Sequence, residues 1–360
     1  MSEYKIHNIK TLDELDDIEI NWNDLQSQSA SSSIFQSWEW NRSWCKYVLS
    51  KDSGRLAVRV IVDSAGRYVA ILPFYEVQLS RLLRVTQFLG HRMSFHNDII
   101  LAEPENELMI ESIIELMRND LAPNNFLHLR HMVSQSALTK KMYSLGVIRE
   151  QCNRVYVRAD KSIQEQYQRL GRSARKTYRW ARNQLQKKYH SEYVYFTGSC
   201  FEKAFDELMV LHNKRFDSVG KSTLLTGNNL VFLKQATSDL SRHKCSEILQ
   251  LRGGDGEVIA AMLLIIDNYR CFFVQCGFDP EFSKYSPLRV LIAEGMRHAF
   301  DDLGCEIFDF GPGYERYKYD WSSEVDKNYF CSLGGAGIYS KVAAKVYELA
   351  FARQMSKSSS

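Results

Sequence analysis

The chain has 360 residues, of which 45% are hydrophobic and 25% are charged, a composition typical of globular proteins. Its length predicts two domains or one large one, and a net charge of +3 is too small to indicate a nucleic-acid partner by itself. The first residues lack the apolar segment of a signal peptide, and no apolar run approaches the roughly 20 residues that a membrane helix needs. The eight cysteines lack CxxC spacing, which indicates reduced thiols. We therefore expect a cytoplasmic protein without a transmembrane segment.

The first half predicts helices followed by a β-hairpin. Residues 12–25 and 34–49 have helical patterns, and the second contains three regularly spaced Trp residues that suit a core. Two apolar strands, 56–62 and 68–77, flank the turn residues 63–66. A strand, a helix and another strand follow at 99–101, 108–117 and 126–129.

The second half repeats this order of elements. Strands 247–251 and 258–267 flank the turn 253–256, which is rich in Gly, and an apolar strand, a helix and a further strand follow. Only the order and the turn chemistry match, so the repeat signal is weak. It favours two similar α/β domains over one large domain.

A basic segment lies between the halves. Residues 166–191 contain eight Lys and Arg residues and no Asp or Glu, and apolar residues recur there at spacings of three and four. This pattern predicts an amphipathic helix with a basic face. The face either contacts phosphates, of a cofactor, an activated sugar, RNA or an anionic lipid, or is simply solvated.

The stretch 271–321 is where the sequence places the chemistry. An apolar strand (271–276) leads into a loop rich in Gly, Pro and Ser, and a helix (290–300) and a second strand (306–310) follow. The loop after that strand gathers Gly, Tyr, Glu, Lys and Trp residues. Many α/β proteins build a site from strand, loop, helix and strand with polar groups at the loops.

Several chemistries lack their motifs. GxSxG, HExxH, GxGxxG and the P-loop pattern do not occur in the sequence. His91, His96 and Asp98 come closest to a metal-binding cluster, and we expect them to be structural. What remains is transfer chemistry, which needs a base, oxyanion donors and a phosphate cradle.

The same stretch offers each of these parts. Asp309 or Glu315 is the candidate base, although Asp309 equally suits a carboxylate that caps the turn after its strand. Loop 283–289 precedes a helix N-terminus, where anions bind. Arg289 and Lys318 add positive charge.

Short motifs occur in order between residues 30 and 335. They are Phe35-Gln36-Ser37-Trp38, the basic helix with Ser173 and Arg175 to Arg182, Asp255-Gly256 with Ile259-Ala260, Gly277-Phe278-Asp279-Pro280, Ser283-Lys284-Tyr285-Ser286-Pro287, Phe308-Asp309-Phe310, Gly313, Glu315, Tyr317-Lys318 and Trp321. Together they resemble the CelD/BcsL-type acetyltransferases of the GNAT superfamily, which are associated with bacterial cellulose and other exopolysaccharide synthesis. That group is related to the FemAB-like aminoacyl transferases.

The resemblance implies an α/β fold of tandem GNAT-like domains, each a mixed, mostly antiparallel sheet flanked by helices. We place an N-terminal domain at 1–160, a basic linking helix at 161–190 and a C-terminal domain with the donor site at 191–340. A C-terminal helix and a disordered tail occupy 341–360. In this chain Leu288 and Arg289 follow Ser-Pro where the family usually has Gly, and the superfamily's Q/RxxGxG/A signature is absent.

The implied function is transfer of an acyl group from acetyl-CoA or another acyl-CoA, as co-substrate, to an amine or hydroxyl of a sugar or cell-envelope precursor. Polysaccharide biosynthesis proteins are the expected partners, and no metal is expected. Two alternatives stay open: a FemAB-like aminoacyl transferase that uses charged tRNA, and a non-catalytic component of a polysaccharide assembly system. The expected site residues are, for catalysis, Asp309, Glu315, Tyr317 and Lys318; for the CoA donor, Gln275, Gly277, Ser283, Ser286, Arg289 and Val290; and for the substrate, Trp38, Arg175, Arg179, Tyr314 and Trp321.

Overall fold

The structure of the protein is a computed structural model that describes residues 4–29, 32–51, 54–104, 106–159 and 170–358. The chain divides into two compact units. Unit 1 comprises Met1–Asn153 and Lys327–Ser360, and unit 2 comprises Arg154–Asp326. The domain boundaries expected from the sequence are not tested by this division into units and remain a prediction.

The elements are named in chain order. The helices are α1 (Leu12–Asp16), α2 (Glu19–Gln28), α3 (Trp38–Tyr47), α4 (Glu107–Asp120), α5 (Ala137–Ser144), α6 (Arg172–Tyr189), α7 (Phe201–Ser218), α8 (Gly227–Arg242), α9 (Pro287–Arg297), α10 (Arg316–Tyr319) and α11 (Ile338–Ser358). The strands are β1 (Lys5–Ile9), β2 (Gly54–Leu56), β3 (Val58–Val62), β4 (Tyr68–Leu72), β5 (Phe74–Ser80), β6 (Leu83–Phe88), β7 (Ile100–Leu101), β8 (Asn125–Val133), β9 (Ile148–Arg158), β10 (Glu192–Phe196), β11 (Ser246–Arg252), β12 (Val258–Asp267), β13 (Arg270–Phe278), β14 (Ile307–Pro312) and β15 (Val325–Gly334).

In unit 1, the helix predicted over 12–25 is two helices, because the backbone of Ile18 (φ −102°, ψ 7°) leaves the helical region between α1 and α2. The helix predicted over 34–49 is a 3₁₀ turn followed by α3. Ser37 separates the two with an extended backbone, and its hydroxyl accepts a hydrogen bond from the Trp40 N–H at 3.2 Å. Such a side-chain cap starts a new helix rather than continuing the old one.

Unit 1 contains two groups of paired strands. Strands β1, β3, β4 and β7 pair in that order and are antiparallel, and they include the predicted hairpin of β3 and β4. In the second group, β15, β8, β6, β5 and β2 are neighbours in that order. Within it β6 and β8 are parallel over a short stretch, in which Arg84 pairs with Asn125 and Thr86 with Leu127.

Unit 2 is one sheet with strands in the order β10, β11, β12, β13, β14 and β9. Helix α6 packs on it through Tyr178, Ala181 and Leu185, whose spacing of three and four puts them on one buried face. The predicted amphipathic helix is therefore confirmed from Arg172 onward, and residues 166–169 of that prediction lie outside the described residues.

Strands β13 and β14 place the candidate site. They are parallel, and they pair only from Arg270 with Ile307 to Phe272 with Asp309. A register shift on β13 near Val274, opposite Leu263 and Leu264, marks a β-bulge. A bulge bends its strand and re-aims side chains. Beyond it β13 continues toward Phe278 without β14 beside it, so the sheet opens at this point.

Several boundaries differ from the prediction, among them three in the last quarter of the chain. Helix α9 begins at Pro287 rather than at residue 290, because proline suits the first helical position, where no N–H is needed. Strand β14 continues through Pro312 instead of ending at residue 310. Helix α11 continues through Ser358, so part of the tail predicted to be disordered is helical, and Ser359 and Ser360 lie outside the described residues.

Candidate active site

A cavity of about 300 Å³ lies in unit 2 where β13 separates from β14. Its walls come from α7, β13, the turn before α9, α9 itself and the loop after β14. The lining residues are Arg215, Phe273, Cys276, Phe278, Ser283, Ser286, Pro287, Leu288, Arg289, Ile292, Tyr317 and Trp321. Five of them were expected as site residues from the sequence: Ser283, Ser286, Arg289, Tyr317 and Trp321.

Most of the lining is apolar and part of the unit 2 core. Phe273, Ile292 and Trp321 are buried in that core, and Tyr317 packs against it. The Tyr317 ring meets the rings of Phe273 and Phe310 edge to face, at 6.5 and 6.3 Å between centroids. Burial raises the pKa of the Tyr317 hydroxyl, which is therefore a neutral donor at physiological pH.

The turn before α9 presents few backbone donors to an anion. Ser286 precedes the helix with φ 47°, Pro287 has no N–H, and the Arg289 N–H donates to the Ser286 carbonyl at 3.0 Å. A phosphate at this helix N-terminus therefore depends on side chains more than on the backbone cradle that a glycine loop provides. The hydroxyls of Ser283 and Ser286 and the Arg289 guanidinium are available for that purpose.

Two arginines supply the positive charge of the cavity. Arg289 Nη2 donates to Asp320 Oδ2 at 2.7 Å, while its Nη1 is buried and has no hydrogen-bond partner among the described residues. Arg215 lies over the Phe278 ring, and its Nη1 donates to Cys276 Sγ at 3.3 Å. Burial raises the pKa of the Cys276 thiol, so the sulfur stays protonated.

Lys318 holds the loop after β14. It is 3% exposed, and its Nζ donates to the carbonyls of Gly311 and Pro312 at 3.2 and 3.1 Å. The third partner is Glu315 Oε2 at 2.8 Å, and the Glu315 side chain is 57% exposed. Lys318 does not line the cavity, and these contacts favour a positioning role for it over direct catalysis.

Asp309 occupies the opposite environment. It is fully buried, its Oδ2 lies 2.6 Å from Arg270 Nη1 and 3.6 Å from Arg154 Nε, and its Oδ1 accepts the Gly311 N–H at 2.8 Å. One buried and one partly buried guanidinium thus neutralise this carboxylate, an arrangement typical of a structural ion pair. Asp309 also lies outside the cavity lining, so the geometry favours the turn-capping interpretation of Asp309 over the catalytic one.

Gln275, Gly277, Val290 and Tyr314 do not line the cavity. Gln275 Oε1 accepts the Cys276 N–H, and Val290 is 1% exposed in the core. At Gly277 a Cβ atom would lie within 3 Å of main-chain atoms of Leu211 and His212, so this glycine allows α7 to approach β13. Tyr314 is 40% exposed on the loop after β14.

The remaining expected substrate residues lie on other elements. Trp38 belongs to unit 1, where its Nε1 donates to the Leu15 carbonyl at 3.3 Å and the Arg42 guanidinium covers its ring. Arg175 and Arg179 lie on α6 in unit 2, partly buried and exposed respectively. The structure does not bring these three residues to the lining of the cavity.

Arg215, Phe273, Cys276 and Phe278 line the cavity and were missed as site residues. Phe273 and Cys276 belong to the predicted strand 271–276, and Phe278 belongs to the predicted loop after it, but the sequence does not show that a bulge turns this strand toward an opening. Arg215 follows Lys214 in an ordinary helical pattern and carries no separate signal.

No helix in the described ranges has the length and apolarity to cross a membrane. Likewise, no group of three or more His, Cys, Asp or Glu side chains there is arranged to hold a metal ion.

Comparison with known proteins agrees with this geometry. Residues 172–319 match the family model described as acetyltransferase (GNAT) domain. No curated protein sequence matches the chain.

Several solved structures share the fold. FemX superposes with a TM-score of 0.62 at 10% identity, covering 96% of this chain and 100% of that one. The C-terminal domain of a putative lysylphosphatidylglycerol synthetase from Agrobacterium fabrum gives 0.56 at 12% identity, with 93% and 96% covered. L-PGS from Bacillus licheniformis gives 0.56 at 9% identity, with 92% and 96% covered. At these identities the likeness concerns the fold alone.

The expected fold class is thereby confirmed. Both units contain antiparallel strands followed by a short parallel pairing, β6 with β8 in unit 1 and β13 with β14 in unit 2, with helices alongside. The chain has a tandem GNAT-like α/β fold, and its residues 172–319, within unit 2, match the acetyltransferase (GNAT) domain model.

Proposed function

We propose that unit 2 transfers an acyl group from a thioester donor, acetyl-CoA or another acyl-CoA, to an amine or hydroxyl. The observation that carries this proposal is the cavity at the separation of β13 and β14, which begins at the N-terminus of α9. Its volume of about 300 Å³ is at the lower end of the range for small-molecule sites. The match to an acetyltransferase (GNAT) domain over the same residues supports it.

The lining suits the two ends of such a donor. The apolar walls formed by Phe273, Ile292 and Trp321 accept an acyl group and the uncharged arm that bears the thioester. A phosphate at the start of α9 finds the orphan Nη1 donor of Arg289 and the two serine hydroxyls. Arg289 thus takes over part of the task that glycine N–H groups perform in a backbone cradle.

Glu315 is the proposed base and Tyr317 the proposed acid. The acceptor nitrogen or oxygen attacks the thioester carbonyl carbon, Glu315 takes the acceptor's proton, the carbon–sulfur bond breaks, and the Tyr317 hydroxyl protonates the departing thiolate. Burial is the largest cause of the raised pKa values of Cys276 and Tyr317, and the charge of Glu315 also raises both of them. The Glu315 carboxylate therefore lies near two residues that line the cavity. Lys318 positions Glu315.

The proposed acceptor is an amine or hydroxyl of a sugar or a cell-envelope precursor. The resemblance of the 255–321 motifs to CelD/BcsL-type acetyltransferases supports this choice. Proteins of exopolysaccharide synthesis are the partners that follow from it.

Calorimetric titration of the purified chain with acetyl-CoA, and in parallel with desulfo-CoA, tests the donor. We expect micromolar binding that weakens about tenfold or more in Arg289→Ala, because a charge-assisted phosphate contact is lost. Arg242→Ala is the matched control, since Arg242 is exposed on α8 and its ion pair with Asp239 spans one helical turn. Absence of binding at millimolar CoA rejects the proposed donor and favours a non-catalytic component.

A second candidate, an aminoacyl transferase that uses charged tRNA, is favoured by the surface of α6. Arg179, Arg182, Lys187 and Lys188 are exposed on this helix, and Trp180 is 47% exposed and stacks on Tyr285 at 5.9 Å. Exposed cations with an aromatic ring among them suit the backbone and bases of RNA.

Filter binding of aminoacyl-tRNA over a salt series separates this candidate from the first. RNA binding predicts an affinity that falls steeply with salt, with a smaller slope in Arg179→Ala because one phosphate contact is lost. Salt-independent or undetectable binding rejects it. Acetyl-CoA binding without RNA binding supports the first candidate.

A further inference from the structure

Arg130 lies at an irregular point of β8 in unit 1. Strand β15 pairs Tyr329 with Met132 and Cys331 with Leu129, so Arg130 and His131 together face a single residue. His131 has φ 55°, a left-handed conformation that a side chain rarely adopts. Asn97 fixes the bulge, because its side-chain amide donates to the Arg130 carbonyl at 3.1 Å and its N–H donates to the His131 carbonyl at 2.8 Å. Bulges of this kind re-aim side chains, often beside functional sites.

The Arg130 guanidinium is enclosed by rings rather than by carboxylates. Its Cζ is 4.3 Å from the centroid of Phe351, and its Nη1 is 3.5 Å from His91 Nε2. Its Nε is buried and has no hydrogen-bond partner in the described part of the chain. The Tyr75 ring lies next to His91, with 6.3 Å between the two ring centroids.

The electrostatic surroundings of Arg130 are unfavourable for a cation. Burial and the charge of Arg92 lower the pKa of Arg130 to about 10. The groups that act in the opposite direction are Tyr347, Cys152 and Tyr75, and none of them is a carboxylate. Desolvating a cation without an anionic partner costs free energy, so proteins normally supply a partner.

Arg59 is another largely buried arginine of unit 1, and it has carboxylate neighbours. Its side chain is 6% exposed, it forms an ion pair with Asp120, and Glu76 lies 3.7 Å away. Both carboxylates belong to unit 1. Arg130 differs in that the groups around it are aromatic, imidazole and cationic.

We propose that unit 1 binds an oxyanion, a phosphate or carboxylate group of a ligand, at the Arg130 guanidinium between His91 and Phe351. The planar fork of arginine matches two oxygens of such a group, and the anion supplies the missing counter-charge. Exposed Arg92 adds to the positive potential that attracts it. This site consists of unit 1 residues and is independent of the donor cavity proposed for unit 2.

Titration of the full-length protein with inorganic phosphate at constant ionic strength tests the proposal, by calorimetry and by thermal unfolding against matched chloride. We expect saturable binding and a raised midpoint in the wild type, with the Kd weakened about tenfold or more in Arg130→Met. Without phosphate, Arg130→Met is expected to be at least as stable as the wild type, because it removes an uncompensated cation. A purely structural role for Arg130 predicts the reverse.

Arg59→Met is the matched control and is expected to lose stability while keeping the phosphate response, because Asp120 loses its ion pair and Glu76 loses one of its cationic neighbours. Arg130→Lys keeps the charge without the fork and is expected to fold and to bind phosphate several-fold more weakly, which covers the case in which Arg130→Met does not fold. A parallel titration with acetate distinguishes a carboxylate site from a phosphate site. The proposal is overturned if neither anion binds the wild type, or if Arg130→Met and Arg130→Lys both bind as the wild type does.

Discussion

Asp309 and Glu315 follow the same strand and meet opposite environments. Asp309 lies at the end of the pairing between β13 and β14, where Arg270 and Arg154 surround its carboxylate. Glu315 lies on an exposed loop, bonded to Lys318. A carboxylate that accepts a proton during turnover needs access to the substrate and a pKa that is not fixed by buried cations. Neither carboxylate is among the residues that line the cavity, but the Glu315 side chain is 57% exposed and lies two residues from Tyr317, which does line it, whereas Asp309 is fully buried.

Replacement of Asp309 by Asn should therefore act on stability. The change keeps the shape but removes the charge between two enclosed guanidinium groups, and breaking a buried pair in this way costs about 3–5 kcal/mol. Urea unfolding monitored by circular dichroism measures the loss. Asp239→Asn, at an exposed pair with Arg242, is the control and should change stability by less than about 1 kcal/mol. Unchanged stability with abolished turnover would instead assign Asp309 as the base.

At the scale of elements, the contact between α7 and β13 fixes one wall of the cavity. His212 on α7 hydrogen-bonds the Cys276 carbonyl at 3.2 Å through Nδ1 and Thr223 at 2.8 Å through Nε2. Gly277 lies directly beside this contact and lets the two backbones meet. The helix in turn carries Arg215 to the cavity. A change in the spacing of α7 and β13 therefore changes the cavity.

Replacement of Gly277 by Ala tests this dependence. The added Cβ meets main-chain atoms of Leu211 and His212, which no side-chain rotation relieves, so we expect a loss of about 1–3 kcal/mol together with weaker donor binding. Thermal unfolding and calorimetry with acetyl-CoA measure the two effects. Gly171→Ala, where the Cβ has no neighbour within 4 Å, should change stability by only about 0.5 kcal/mol. If Gly277→Ala keeps the stability and the donor binding of the wild type, α7 can shift without changing the cavity.

At the scale of the whole molecule, each unit has its own core. The core of unit 2 is drawn from residues between Val155 and Trp321 and includes Ala181 and Leu185 of α6. The core of unit 1 is drawn from residues between Ile61 and Ile148, with Cys331 and Leu333 from the segment after unit 2. Unit 1 therefore consists of two segments of the chain, and unit 2 lies between them in the sequence.

A fragment of residues 154–326 should fold by itself, because it contains the whole unit 2 core. We expect a cooperative thermal transition and acetyl-CoA binding within about threefold of the full chain. A fragment of residues 191–340, the boundary expected from the sequence, is the comparison. This fragment lacks α6 and β9, and with them several buried side chains of the unit 2 core. Because burying one large apolar side chain contributes about 1.5–3 kcal/mol to stability, we expect the fragment to be unfolded. If the fragment of residues 191–340 folds in isolation, the domain boundary expected from the sequence is supported instead.

How much of the site was predictable differs from residue to residue. Ser286, Pro287 and Arg289 were predicted to lie in the loop before a helix N-terminus, because proline and serine break regular structure locally. Tyr317 and Trp321 were expected because polar and aromatic residues gather after a strand. Arg215 was not, since its role depends on α7 reaching β13, which a helical pattern does not encode. Asp309 was ambiguous because Arg154, its partner, is distant in the chain.

The sequence by itself determined the hairpins, the amphipathic α6, the order of strand, turn, helix and strand in both halves, and through them the α/β class. These depend on periodicity and turn chemistry, which are local properties. Only the tertiary structure decided that β13 leaves β14 after Phe272, that Asp309 lies between two arginines, and that aromatic, imidazole and cationic groups surround Arg130. Those features arise from strand order and from contacts between distant residues, and no local pattern of side chains specifies them.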